Sequence, residues 1–180
     1  MDKYYYAITV IGKDKPGIVA SVAEVLYEKG FSVEDSSSTL LKDQFSIILI
    51  ISREEKMGIL ELKKAFACVR KNLNMSVSVR NIDTEEILDE ATDNIFMISV
   101  YGSDKPGIVY QISNALAKNS INIVDLRTRL TKAEKPVYVM IMEVNAPKDI
   151  EENQIRQIVD RAAAKINVNY SIRRAETYNL

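Results

Sequence analysis

The chain contains no histidine. That absence removes the commonest general base and metal ligand, which weakens hydrolase, nuclease and zinc-enzyme chemistries together. No nucleophile–base pair or metal-ligating cluster stands out either, so the expectation is a non-enzyme with no metal and no cofactor. Cysteine is limited to Cys68, so no internal disulfide can form and a reducing compartment is expected. Its place in the apolar run Ala65-Phe66-Ala67-Cys68-Val69 predicts a small core residue. No segment approaches the roughly 18 consecutive apolar residues of a membrane helix. The opening Met1-Asp2-Lys3-Tyr4 lacks a basic region leading into an apolar stretch, so a cytoplasmic location and no membrane partner are expected. An excess of one charge is missing too: 24 Lys and Arg stand against 25 Asp and Glu, for a net charge of −1. This balance argues against a general electrostatic role on nucleic acid or membrane.

What the chain has is a repeat. Gly12-Lys13-Asp14-Lys15-Pro16-Gly17-Ile18-Val19 returns 90 residues later as Gly102-Ser103-Asp104-Lys105-Pro106-Gly107-Ile108-Val109, identical at seven of eight positions. An apolar fraction of 47% with 27% charged residues fits a soluble globular class, and the repeat divides the 180 residues into two domains. The expected boundaries are 1–82, an acidic linker over 83–94 that could form one or two helical turns, and 95–180.

Each copy reads as the same series of elements. Tyr6, Ile8 and Val10 alternate with Tyr5, Ala7 and Thr9, and Phe96, Ile98 and Val100 repeat the first set. Ile18, Val19, Val22, Val25 and Leu26 then recur at helical spacing until Gly30, matched by Ile108, Val109, Ile112, Ala115 and Leu116. A second strand follows in each copy, then a hairpin, short at Lys42-Asp43-Gln44 and longer over 131–136. The third strands are strongly apolar, and in the first copy both faces are so: Phe45, Ile47, Leu49 and Ile51 on one, Ile48 and Ile50 on the other. A helix over 58–73, with Leu62, Ala65, Phe66 and Val69 on one face, matches one carrying Ile155, Ile158, Val159, Ala162 and Ile166. Last strands follow at 76–80 and 169–173.

The order βαββαβ, twice, predicts an α+β chain of two ferredoxin-like domains with antiparallel sheets and helices on one face. A doubly apolar third strand predicts a cover for the open face, a partner sheet from the other half or another chain, and hence a homodimer. The corner between first strand and first helix offers unpaired N–H groups beside a carboxylate, which together suit a zwitterion. Asp14 and Asp104 read equally well as helix caps, and the corner glycines as turn residues with positive φ. Aromatics on the first and third strands raise the alternative of RNA stacking. Tyr6 falls on the helix-facing set and the chain is not basic, so no direct nucleic-acid partner is expected. Met140 and Met142 read as sheet packing, and Arg173 and Arg174 as a solvated terminus.

The first strand, Asp-Lys-Pro-Gly-Ile-Val, a helix, then Ser32-Val33 or Asn122-Ile123 opening the second strand, resembles the ACT domain, a regulatory module that binds amino acids. In the first half, Ile8 to Gly12, Asp14 to Val19, Glu34-Asp35-Ser36 and Gln44 to Ser52 resemble the glycine cleavage system transcriptional repressor group. The resemblance implies a non-catalytic regulator that senses a small amino acid and acts through a protein partner, with a transcription regulator as the candidate. It implies ligand contacts from Asp14, Gly17, Ile18 and Ser32, and from Asp104, Gly107, Ile108 and Asn122. The first copy departs from the commoner asparagine at Ser32. If the two domains associate through their second strands, Asp14 would face Asn122 and Asp104 would face Ser32. The alternative is a structural or oligomerising module with a vestigial ligand site.

Overall fold

The computed structural model describes residues 3–82 and 94–175. The chain splits into two compact units, residues 1–88 and 89–180. Segment 83–93, expected as most of the linker, lies outside the described residues. Asn94 does not. It is buried in the second unit, where its Nδ2 donates to the carbonyls of Pro147 and Ile150 at 2.9 Å each.

The first unit runs β1 (Tyr4–Lys13), α1 (Ile18–Glu28), β2 (Ser32–Leu41), β3 (Gln44–Arg53), α2 (Ile59–Ala65), α3 (Ala67–Leu73) and β4 (Ser76–Ile82). The second runs β5 (Ile95–Gly102), α4 (Ile108–Ala117), β6 (Asn122–Leu130), β7 (Tyr138–Asn145), α5 (Glu152–Ile166) and β8 (Asn169–Arg174). The sheets are ordered β2-β3-β1-β4 and β6-β7-β5-β8, every pair antiparallel. This is the expected ferredoxin-like order, twice.

Alternation decides which side chains meet the helices. Tyr6, Ile8 and Val10 of β1 and Ile47, Leu49 and Ile51 of β3 are buried with Ile18, Val22, Val25 and Leu26 of α1. In the second unit Phe96, Ile98, Val100, Met140, Met142 and Val144 take the same places, so both methionines are sheet packing. Burying each such side chain stabilises by about 1.5–3 kcal/mol. The opposite face of the first sheet leaves Ile48 52% and Ile11 46% exposed, as the doubly apolar third strand predicts.

Four local readings are corrected. The helix expected over 58–73 is broken into α2 and α3 at Phe66, whose φ of −83° and ψ of 13° fall between them. Leu62, Phe66 and Val69 form the inward stripe, spaced four and three residues apart, which puts Cys68 one position off it and exposed rather than in the core. Val19 and Val109, read with the apolar stripe, are likewise exposed. Arg174 is not simply solvated: its guanidinium carbon lies 5.9 Å from the Phe96 ring centre and Nη2 is 3.3 Å from Asn94 Oδ1.

Both β2 and β6 carry a register shift one residue after their second position, between Val33 and Asp35 and between Ile123 and Asp125. Such a bulge re-aims a side chain. In the first unit the re-aimed residue is Glu34, which accepts hydrogen bonds from Lys3 Nζ at 2.8 Å and from the buried Ser52 hydroxyl. In the second the corresponding residue is Val124, half exposed.

Candidate functional site

The two strand–helix corners share one backbone. Gly17 has φ 92° and ψ −4°, Gly107 has φ 95° and ψ −2°, and each is the residue that caps its helix. This left-handed region is open to glycine at little cost, which explains a glycine after proline in both copies. The chain turns at that point, and the first helical bonds run from Ser21 N–H to the Gly17 carbonyl and from Gln111 N–H to the Gly107 carbonyl, both 2.9 Å. Amides of the first turn ahead of those donors have no intrahelical acceptor. They carry the positive end of the helix dipole.

Neither aspartate caps its helix. α1 and α4 have no side-chain capping bond, and the carboxylates of Asp14 and Asp104 make no hydrogen bond or ion pair among the described residues. Both residues are exposed. The corner is nevertheless held in place: Asp14 N–H donates to the Asp43 carbonyl at 2.8 Å, and Lys15 Nζ donates to the Leu73 carbonyl at 3.2 Å. These bonds tie the first corner to the β2–β3 turn and to the end of α3.

The sequence-derived site residues fall into distinct positions. Ile18 and Ile108 are each 2% exposed, so their side chains belong to the cores and only their main chains can face a ligand. Asp104, Gly107 and Ile108 border one concavity of about 480 Å³. Asn122 borders a neighbouring groove of about 350 Å³, on the other side of Tyr110. Ser32 is exposed at the start of β2, opposite Ser52.

Two residues escaped the sequence reading. Tyr110, on the first turn of α4, borders both the corner and the Asn122 groove, and Tyr138, opening β7, closes the corner from the sheet. The signal was an aromatic three residues after Gly107 where the first copy has Ala20, three after Gly17. The two corners thus share a backbone and a carboxylate but differ in their walls.

The ACT domain family models match residues 5–80 and 96–153, one on each unit. The chain belongs to the ACT domain family. It carries the domain twice, as the repeat requires. A UPF0237 protein from Streptococcus pneumoniae is 35% identical over 74 residues, covering 41% of this chain and 84% of that protein. A UPF0237 protein from Methanopyrus kandleri is 34% identical over 77 residues, covering 42% and 86%. These relatives match one ACT domain's length, not the tandem. Two solved structures are similar over nearly the whole chain. One, an unknown protein from Galdieria sulphuraria, superposes with a TM-score of 0.81 at 22% identity, covering 97% of this chain and 100% of that one. The other, described as a candidate glycine cleavage system transcriptional repressor, gives 0.78 at 15% identity, covering 98% and 100%. At such identities the likeness is one of fold.

Proposed function

We propose that the chain is a non-catalytic sensor that binds a small amino acid at the strand–helix corners and passes occupancy to a protein partner. The observation that carries this reading is the twice-built corner, where a first helical turn offers main-chain donors beside an exposed carboxylate with no structural bond to make. An ammonium group would pair with Asp14 or Asp104, and a carboxylate with the N–H groups near Gly17 or Gly107. Glycine is the first ligand to test, because the motifs of the first half resemble the glycine cleavage repressor group and a candidate member shares the tandem fold. The same analogy makes a transcription regulator the partner, reached by protein contact. A thermal-shift screen of the common amino acids tests the reading, since a ligand at 100 times its Kd adds about 2.7 kcal/mol of stability. A flat response to every one of them overturns it.

A second reading is favoured by the edge strands. All ten residues of β2 are exposed, with Val33 at 50%, Leu40 at 55% and Leu41 at 69%, and Ile48 stands on the open face beside it. A long exposed edge strand with apolar side chains at both ends invites pairing with another copy. Homodimerisation fits the sensor as well as a purely oligomerising module, and only the ligand screen separates the two.

A further inference from the structure

A cleft of about 210 Å³ lies between α4 and α5, away from the corner concavity. Three cations border it: Lys118, Arg161 and Lys165. The amides of Gln111, Asn114 and Asn119 stand among them, and Ala115, Ala162 and Ile158 complete the lining. The two alanines leave room that longer side chains would fill.

Among the described residues no carboxylate borders the cleft. α4 contains none in its sequence from Ile108 to Ala117. The acids of α5 are engaged elsewhere: Glu151 closes the capping box with Gln154, Glu152 accepts from Arg156 at 2.7 Å, and Asp160 lies 3.3 Å from the Tyr170 hydroxyl. The side chains of Lys118, Arg161 and Lys165 make no ion pair or hydrogen bond among the described residues. Three uncompensated positive charges thus share one cleft in a chain whose net charge is −1.

Helix dipoles account for part of this. Lys118 caps the C-terminus of α4 and Lys165 sits in the last turn of α5, where a cation is favoured. Arg161 is further from the helix end and gains nothing comparable. The repeat supplies an internal comparison, because the residues matching Asn114 and Lys118 at the 90-residue offset are Glu24 and Glu28. The same helix in the same fold therefore carries the opposite sign.

We propose that the α4–α5 cleft is a binding site for a phosphate-bearing small molecule. Arg161 supplies a planar fork that matches two phosphate oxygens, and the lysines on either side add point charges for a second phosphate or the remaining oxygens. The neutral amides donate hydrogen bonds without adding charge. The volume is below the roughly 300–1,000 Å³ that encloses a drug-sized ligand, so the cleft takes the phosphate end and leaves the rest in solvent. The cleft shares only Asn114 with the groove of Asn122, and the proposal does not rest on an amino acid bound at the corner.

The test is a titration of the full chain with sodium pyrophosphate at low ionic strength, followed by amide chemical shifts. Saturable movement of Asn114, Lys118, Arg161 and Lys165, with little at Gly17 and Gly107, is the expected result. Arg161→Gln and Lys118→Glu are each expected to weaken binding by about tenfold or more with circular dichroism unchanged, whereas Lys29→Ala in the first copy leaves it unchanged. Equal affinity in Arg161→Gln and in the parent overturns the proposal. So does citrate binding as tightly as pyrophosphate, which would make the cleft a general anion surface. A short single-stranded RNA that binds more tightly than pyrophosphate, with shifts spreading to Arg127 and Arg129, would also overturn it in favour of a nucleic-acid face.

Discussion

Gly17 and Gly107 adopt one conformation, with φ of 92° and 95° and ψ of −4° and −2°, at the same point of the two domains. A Cβ added at either would meet nothing within 4 Å, so the cost of a side chain there is conformational alone. Gly17→Ala and Gly107→Ala are each expected to lose about 1–2 kcal/mol of stability, the penalty of a left-handed non-glycine residue. Urea unfolding with an unchanged slope would report it. A variant as stable as the parent would mean that the turn relaxes to another conformation.

The Tyr6 hydroxyl bonds the main chain of Met57 twice, accepting from its N–H at 2.8 Å and donating to its carbonyl at 2.9 Å. The ring is 1% exposed and meets Phe31 edge-on at 5.6 Å. Tyr6→Phe keeps the ring contact and orphans two polar groups, so a loss of about 1–3 kcal/mol is expected in chemical denaturation. A loss no larger than that of Tyr5→Phe would contradict it.

Glu34 gives the first unit a pH dependence that Val124 cannot give the second. The hydrogen bond from Lys3, with a second from Ser52, holds the Glu34 carboxyl below its ordinary value of 4.5. The same contact holds the Lys3 ammonium above 10.5. A depressed carboxyl stabilises the fold above its unfolded pKa and loses that contribution as pH falls through the folded one. The stability gap between the parent and Glu34→Gln is therefore expected to be full at pH 7 and to close below pH 4.5. A gap that stays constant through that range would rule out the ion pair as its source.

Ile48 stands at the middle of the open face of the first sheet, 52% exposed and opposite Thr9 and Ser37. If that face and the β2 edge hold a second copy, Ile48→Asp should shift sedimentation towards the monomer without changing the far-ultraviolet spectrum. A parent chain that sediments as a monomer at high concentration would contradict the dimer.

Much of the fold was legible because it rests on periodicity: alternation identified Tyr6, Ile8 and Val10 as inward, and the 90-residue repeat supplied every element a second time. The break at Phe66 was not legible, since Leu62, Phe66 and Val69 keep helical spacing across it and give no sign of the interruption. Cys68 was misread for a related reason, as an apolar neighbourhood in sequence does not fix helix phase. At the site, the glycines and aspartates announced themselves by recurring. Tyr110 did not recur, and Tyr138 recurs as Phe45, opposite Gly12 as Tyr138 is opposite Gly102, but in a strand read only for its packing, so both were passed over. The bulge that aims Glu34 at Ser52 and Lys3 depends on sheet register, which a single strand's sequence does not carry.

The most direct test of the account is calorimetry of glycine, then of the other small amino acids, on the parent, Asp14→Asn and Asp104→Asn. Because neither carboxylate caps a helix, both variants should unfold at the parent's temperature. Saturable binding in the parent, weakened about tenfold or more when the occupied corner loses its charge, is the predicted result. Undiminished affinity in both variants, or no heat from any amino acid, would contradict the corner as a ligand site.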